Sequence, residues 1–170
     1  LQGNDWGQWI LGNHGDNLLR GNGGADLLQG LDGNDTLISG IGGAEMEGGA
    51  GDDLYRVLDA ADLIYEDAGE GFDTVIAAVS FVLTAGAEVE DLRLANPGRV
   101  TARELTGNDY AQSLRGDAGA NLLTGGGGAD TIFGLAGDDT LTGGGGGGSV
   151  LIGGAGADVF ILRTDGADLI

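Results

Sequence analysis

An apolar residue returns at every ninth position: Ile10, Leu19, Leu28, Leu37, Met46 and Tyr55. Glycine keeps the same beat at Gly3, Gly12, Gly21, Gly30 and Gly48, with Ser39 as the lapse. A second run follows at Leu114, Leu123, Ile132 and Leu141 and, after one extra glycine, at Leu151 and Phe160. This spacing matches neither the pitch of a helix nor the alternation of an isolated strand. It is the mark of a solenoid, in which each repeat buries its apolar residue only by stacking on its neighbours.

Each repeat reads as a six-residue turn followed by a three-residue strand, as in Gly48–Arg56. The middle strand residue, Tyr55 here, points inward and its neighbours point outward. Two repeats then make one coil of eighteen residues with a strand on each side. Leu19, Leu37 and Tyr55 are expected to stack in one sheet, and Leu28 and Met46 in the other. The expected fold class is therefore all-β, a β-solenoid.

The two runs are copies of one another. LQGNDWGQWI at Leu1–Ile10 aligns with LTGNDYAQSL at Leu105–Leu114, and the exits DDLYRVLDAADLI and ADVFILRTDGADLI also match. This predicts residues 1–56 as a first array and residues 105–170 as a second array that ends at the start of another connector. Leu1 falls inside a repeat with no signal peptide before it, which points to a piece of a longer protein. Between the arrays, residues 57–104 have a different texture, with β-rich runs at Phe72–Leu83, Val89–Ala95 and Arg99–Thr106. So many β-branched and aromatic residues want burial, so this segment is expected to continue the solenoid.

Charge narrows the function. Twenty-seven acids stand against seven arginines, for a formal charge of −20. Such a surface repels nucleic acid and anionic lipid and attracts hard cations. No apolar stretch is long enough to span a membrane. Cysteine is absent, so neither disulfides nor thiol sites are available.

The sixth position of each repeat holds the candidate ligands. The first array supplies Gln8, Asn17, Asp26, Asp35, Ala44 and Asp53; the second supplies Gln112, Asn121, Asp130, Asp139, Ser149 and Asp158. Repeats two apart share an edge, so Asp35 is expected beside Asp53 and Asp139 beside Asp158. Paired carboxylates destabilise a fold unless something neutralises them. One inward residue per repeat also makes a thin core, and the glycine-rich turns are costly to order. Calcium suits this pattern because it takes six to eight oxygens in irregular geometry, carbonyls included. Zinc or copper would call for histidine or thiolate, and His14 is the one histidine.

GGAGDD at Gly48–Asp53 and GGAGAD at Gly153–Asp158, each followed by x-apolar-x, resemble the RTX (repeats-in-toxin, hemolysin-type) calcium-binding nonapeptide. GLDGNDTLI, GGGGADTIF and GLAGDDTLT are similar. The resemblance covers both arrays. It implies a parallel β-roll with calcium between successive turns on each edge, type I export, and folding outside the cell. It also implies two complete sites, at Asp35 with Asp53 and at Asp139 with Asp158. Further ligands would be carbonyls of Gly30, Asp32, Gly48 and Ala50, and of Gly134, Ala136, Gly153 and Ala155. Asp26 faces Ala44 and Asp130 faces Ser149, so those sites are expected to be weakened. Asn17 and Asn121 offer a neutral oxygen, and Gln8 and Gln112 suggest caps.

No serine–histidine–carboxylate constellation is visible. Glu88, Glu90 and Asp91 do not form an acid–base pair across a cleft, and Gly143–Gly148 lacks the lysine of a phosphate loop. Trp6 and Trp9 are expected to cap the end of the core, and His14 to be exposed. The expectation is a non-catalytic, extracellular calcium-binding module whose partners are calcium and neighbouring domains of its own polypeptide. Two alternatives stand beside it: an adhesin, surface-layer or polysaccharide-binding module, and a part of an extracellular enzyme.

Overall fold

The computed structural model describes residues 1–95, 98, 100–162 and 168–170. Among them there is strand and turn but no helix. Two compact units are formed, Leu1–Val79 with Gly86–Val89, and Ser80–Ala85 with Glu90–Ile170. Each is a parallel β-solenoid, and the division falls within residues 57–104.

In the first unit the strands are β1 (Trp9–Leu11), β2 (Leu18–Gly23), β3 (Leu27–Asp32), β4 (Thr36–Ile41), β5 (Glu45–Ala50), β6 (Leu54–Val57), β7 (Leu63–Tyr65) and β8 (Thr74–Ala77). Odd strands pair in the order β1-β3-β5-β7 and even strands in the order β2-β4-β6-β8. Every pairing is parallel, and Leu19 pairs with Leu37 and Leu37 with Tyr55, one coil of eighteen residues each time. Ile10, Leu28 and Met46 stack in the opposite sheet. All six of these beat residues are buried.

The connector prolongs both stacks. Ile64 pairs with Met46, and Val75 pairs with Tyr55 across a coil of twenty residues. Both side chains are fully buried.

The second unit repeats the plan with β9 (Phe81–Val82), β10 (Asp91–Leu94), β11 (Glu104–Thr106), β12 (Ser113–Arg115), β13 (Leu122–Gly126), β14 (Thr131–Ala136), β15 (Thr140–Gly144), β16 (Val150–Ala155) and β17 (Val159–Ile161). Odd strands again form one parallel sheet, β9-β11-β13-β15-β17, and even strands the other, β10-β12-β14-β16. The extra glycine lengthens one coil to nineteen residues, so that Ile132 pairs with Leu151.

Pairing runs further than the three-residue strands read from the sequence. Several strands extend to six residues because the backbone of the next repeat's opening glycines stays in the ladder: Leu31 pairs with Gly49 and Asp32 with Ala50. Leu31 and Leu135 hold positive φ (89° and 81°) where the matching residues of the next coil are Gly49 and Gly154. A left-handed leucine costs about 1–2 kcal/mol, which the flanking pairing must offset. Trp6 and Trp9 do not cap the core; both stand exposed, with Trp9 Nε1 donating to Gln29 Oε1 at 2.7 Å. His14 is exposed as expected, with Nδ1 2.7 Å from Asp32 Oδ2.

Candidate metal centre

The sixth residue of each repeat sits immediately before its strand, and parallel pairing therefore lines these residues up along the coil edges. A single hydrogen-bond rule joins them. The backbone N–H of one sixth-position residue donates to the side chain of its counterpart one coil on. On one edge of the first unit, Asn17 donates to Asp35 Oδ1 (2.7 Å), Asp35 to Asp53 Oδ1 (2.6 Å) and Asp53 to Asp73 Oδ1 (2.8 Å). On the other edge, Gln8 donates to Asp26 Oδ1 and Ala44 to Asp62 Oδ1. In the second unit, Asn121 donates to Asp139 and Asp139 to Asp158; the other edge runs from Gln112 to Asp130, from Asp130 to Ser149 Oγ and from Ser149 to Asp168.

In six of these aspartates one carboxylate oxygen is thereby satisfied and the other is not, whereas Asp62 Oδ2 accepts from Leu58 and Asp59 N–H. Oδ2 of Asp26, Asp35, Asp53, Asp130, Asp139 and Asp168 is buried with no hydrogen-bond partner. A buried, half-satisfied carboxylate is expensive unless a cation meets it. The pKa values record the same cost. Burial raises Asp26, Asp35 and Asp139 above the usual carboxylate range, and lifts Asp130 to about 6 and Asp53 to about 7, with Asp73, Asp35 and Asp52 adding repulsion at Asp53.

The free oxygens converge with main-chain carbonyls. A methyl group on Gly30 would overlap Asp35 Oδ2 and stand 2.6 Å from Gly48 O. One on Gly134 would overlap Asp139 Oδ2 and stand 2.6 Å from Gly153 O. The first repeat position is therefore glycine because a carboxylate oxygen of its own repeat and a carbonyl of the next coil fill the space a side chain would need. These are hard oxygen donors in irregular array, the donor set calcium takes. Ala50 and Ala155 carbonyls accept from Gly33 and Gly137 N–H at 2.8 Å each, which leaves each of them one lone pair. Asp32 pairs in register with Ala50, and Ala136 with Ala155.

Asp130 shares this geometry, with Gly143 O 2.7 Å from the space above Gly125, although Ser149 follows it on its edge; above Gly21 the nearest atoms are those of Asp26 alone, and Ala44 follows it. Three members of the ladder, Asp62, Asp73 and Asp168, escape a reading based on glycine turns. The signal they carry is the short string Asp-x-apolar: Asp62-Leu63-Ile64, Asp73-Thr74-Val75 and Asp168-Leu169-Ile170.

Arg103 occupies the corresponding place one coil before Asn121, whose neighbour Leu122 donates to Arg103 O. Its guanidinium binds the buried Asp117 through Nε at 3.1 Å and through Nη2, and Nη2 also donates to Ala95 O. A fixed organic cation thus stands on the edge that continues through Asn121, Asp139 and Asp158.

Gly30→Ala is expected to eliminate calcium binding beside Asp35 while leaving the count of carboxylates unchanged. Calorimetric titration should show at least one ion fewer than wild type, and an unchanged stoichiometry would contradict the shared-space argument.

A parallel β-solenoid edged with half-satisfied buried aspartates defines the class of calcium-binding β-rolls. The family model of the RTX calcium-binding nonapeptide repeat (four copies) matches residues 11–43, 106–141 and 144–163, more than half of the chain. The chain belongs to the RTX calcium-binding nonapeptide repeat family. No curated protein matches it. Among the described residues no helix is long and apolar enough to cross a membrane.

Proposed function

We propose that this chain is a non-catalytic module of a secreted bacterial protein that remains unfolded until export delivers it to calcium, then folds and stiffens or presents neighbouring domains. The observation that carries this reading is the row of buried carboxylate oxygens without partners along the coil edges. With an extracellular-module affinity near 10⁻⁴ M and calcium tenfold above it, each site contributes roughly 1.4 kcal/mol. A few sites then supply about 5 kcal/mol, comparable to the whole stability of a small domain. In a calcium-poor cytosol the contribution nearly vanishes, which keeps the chain threadable.

Circular dichroism across a calcium titration tests the proposal. The β spectrum should be absent at submicromolar calcium and appear cooperatively as calcium approaches roughly 10⁻⁴–10⁻³ M. A β spectrum unchanged after chelation would reject it. One observation favours a second reading, contact with cell-surface polysaccharide: the exposed indoles of Trp6 and Trp9, a surface suited to stacking on sugar rings. Quenching of tryptophan fluorescence by an added glycan would support it.

A further inference from the structure

The end of the first array departs from the repeat pattern in a way that changes its chemistry. Gly48 stands opposite Glu66, because Glu47 pairs with Tyr65 at the ends of β5 and β7. Glu66 thus takes the place that glycine holds at the start of each repeat. Six residues rather than four then separate it from Asp73, the next sixth-position acid. The longer turn moves Asp73 relative to Glu66 and leaves room for a side chain where the repeats have none.

Three carboxylates meet there. Ligand atoms of Asp53, Glu66 and Asp73 all lie within 4.8 Å of one another. The three residues are 2 %, 4 % and 2 % exposed. Asp53 Oδ2 and Glu66 Oε2 have no hydrogen-bond partner, and no ion pair of the described residues involves either group. The remaining oxygens orient the cluster: Asp73 Oδ1 accepts from Asp53 N–H at 2.8 Å, and Glu66 Oε1 accepts from Gly48 N–H at 3.3 Å. Tyr55 Oη also accepts from Gly48 N–H. Two buried carboxylate oxygens without a partner, in a cluster of three acids, call for a cation.

We propose that Asp53, Glu66 and Asp73 form a further hard-cation site at the end of the first array, sharing Asp53 with the edge that carries Asp35, that binds calcium more tightly than the two-aspartate sites and fills first. All three residues lie outside the segments that match the repeat family. A nonapeptide site has two aspartates and depends for the rest on carbonyls. This one has three carboxylates, and affinity for calcium rises with ligand charge. Its ligands come from the last repeat of the array and from both ends of the connector's first long turn. An ion there pins the connector onto the array and gives the weaker sites an ordered edge to build on. The proposal rests on the calcium-loaded reading above for the identity of the ion.

The test is calcium titration of the full chain, by calorimetry and by competition with a chromophoric chelator. Wild type, Glu66→Gln, Asp73→Asn and Asp139→Asn are compared. Glu66→Gln and Asp73→Asn are each expected to weaken the tightest class at least tenfold. Asp139→Asn should lower the number of weaker sites and leave the tightest class intact. A structural role for Glu66 would predict a deficit of β spectrum in Glu66→Gln that saturating calcium does not repair. The site predicts that Glu66→Gln moves the folding midpoint to higher calcium and that saturating calcium restores the wild-type β spectrum. A tightest class unaltered by both Glu66→Gln and Asp73→Asn would overturn this site while leaving the repeat sites standing. A wild type that binds no calcium would overturn the broader reading as well.

Discussion

Freed of calcium, the protein should lose stability as pH rises from about 4 to about 9, the reverse of ordinary acid denaturation. Burial lifts Asp130 to about 6, Asp53 to about 7 and Glu66 to about 9, with Asp73, Asp53 and Glu70 adding repulsion at Glu66. Each folded-state value lies above that of the unfolded chain, so the folded state holds more protons in between. Stability contributed by these groups is then complete below the unfolded values near 4 and is lost as pH climbs through 6, 7 and 9. Protons stand in for calcium at low pH, and calcium must replace them at neutral pH. Binding at pH 7 should release protons, and apparent affinity should rise with pH. Circular dichroism of calcium-stripped protein between about pH 4 and 8, in which β content is expected to fall as pH rises, and a pH-stat record of calcium addition measure both effects. Metal-free stability that climbs toward neutral pH would contradict the electrostatics described for the edges.

Arg103→Gln should cost about 3–5 kcal/mol, because it strands a buried carboxylate without its counterion. Arg103 is 6 % exposed and Asp117 fully buried. Asp117 Oδ1 accepts from Gly119 N–H at 2.7 Å and from Asn121 Nδ2 at 3.2 Å, so the guanidinium is what faces Oδ2. The loss should be nearly the same in saturating calcium, since the guanidinium is a cation the chain carries itself. Replacing Asp117 by Asn in the same protein should recover most of it, as removing both partners leaves no orphaned charge. Chemical denaturation in millimolar calcium checks this; a loss under about 1 kcal/mol would mean the pair is solvated and incidental.

The core was legible because one inward residue per strand repeats at constant spacing, and burial of Leu19, Leu28, Leu37, Met46 and Tyr55 follows from that alone. The adjacency of Asp35 with Asp53 follows from the same coil length, and that of Asp139 with Asp158 from a coil one glycine longer. The connector resisted because its coils vary: Tyr55 to Val75 spans twenty residues, Leu92 to Leu114 twenty-two, and Phe81 to Leu105 twenty-four. A stack that tolerates changing coil length leaves no period to read. Glu66 was invisible for a related reason. It becomes a candidate ligand only when β7 is placed beside β5, and nothing local to Tyr65-Glu66-Asp67 marks it. Strand length was underread because the paired glycine backbones of β3 and β5 carry no side-chain alternation.

Anomalous diffraction from crystals grown in millimolar calcium, recorded at a long wavelength where calcium scatters anomalously, tests the central claim most directly. Peaks are predicted between Asp35 Oδ2 and Gly48 O, and between Asp139 Oδ2 and Gly153 O. Intact coils with no anomalous density along any edge would show that the solenoid holds its carboxylates without divalent ions, and would contradict the account.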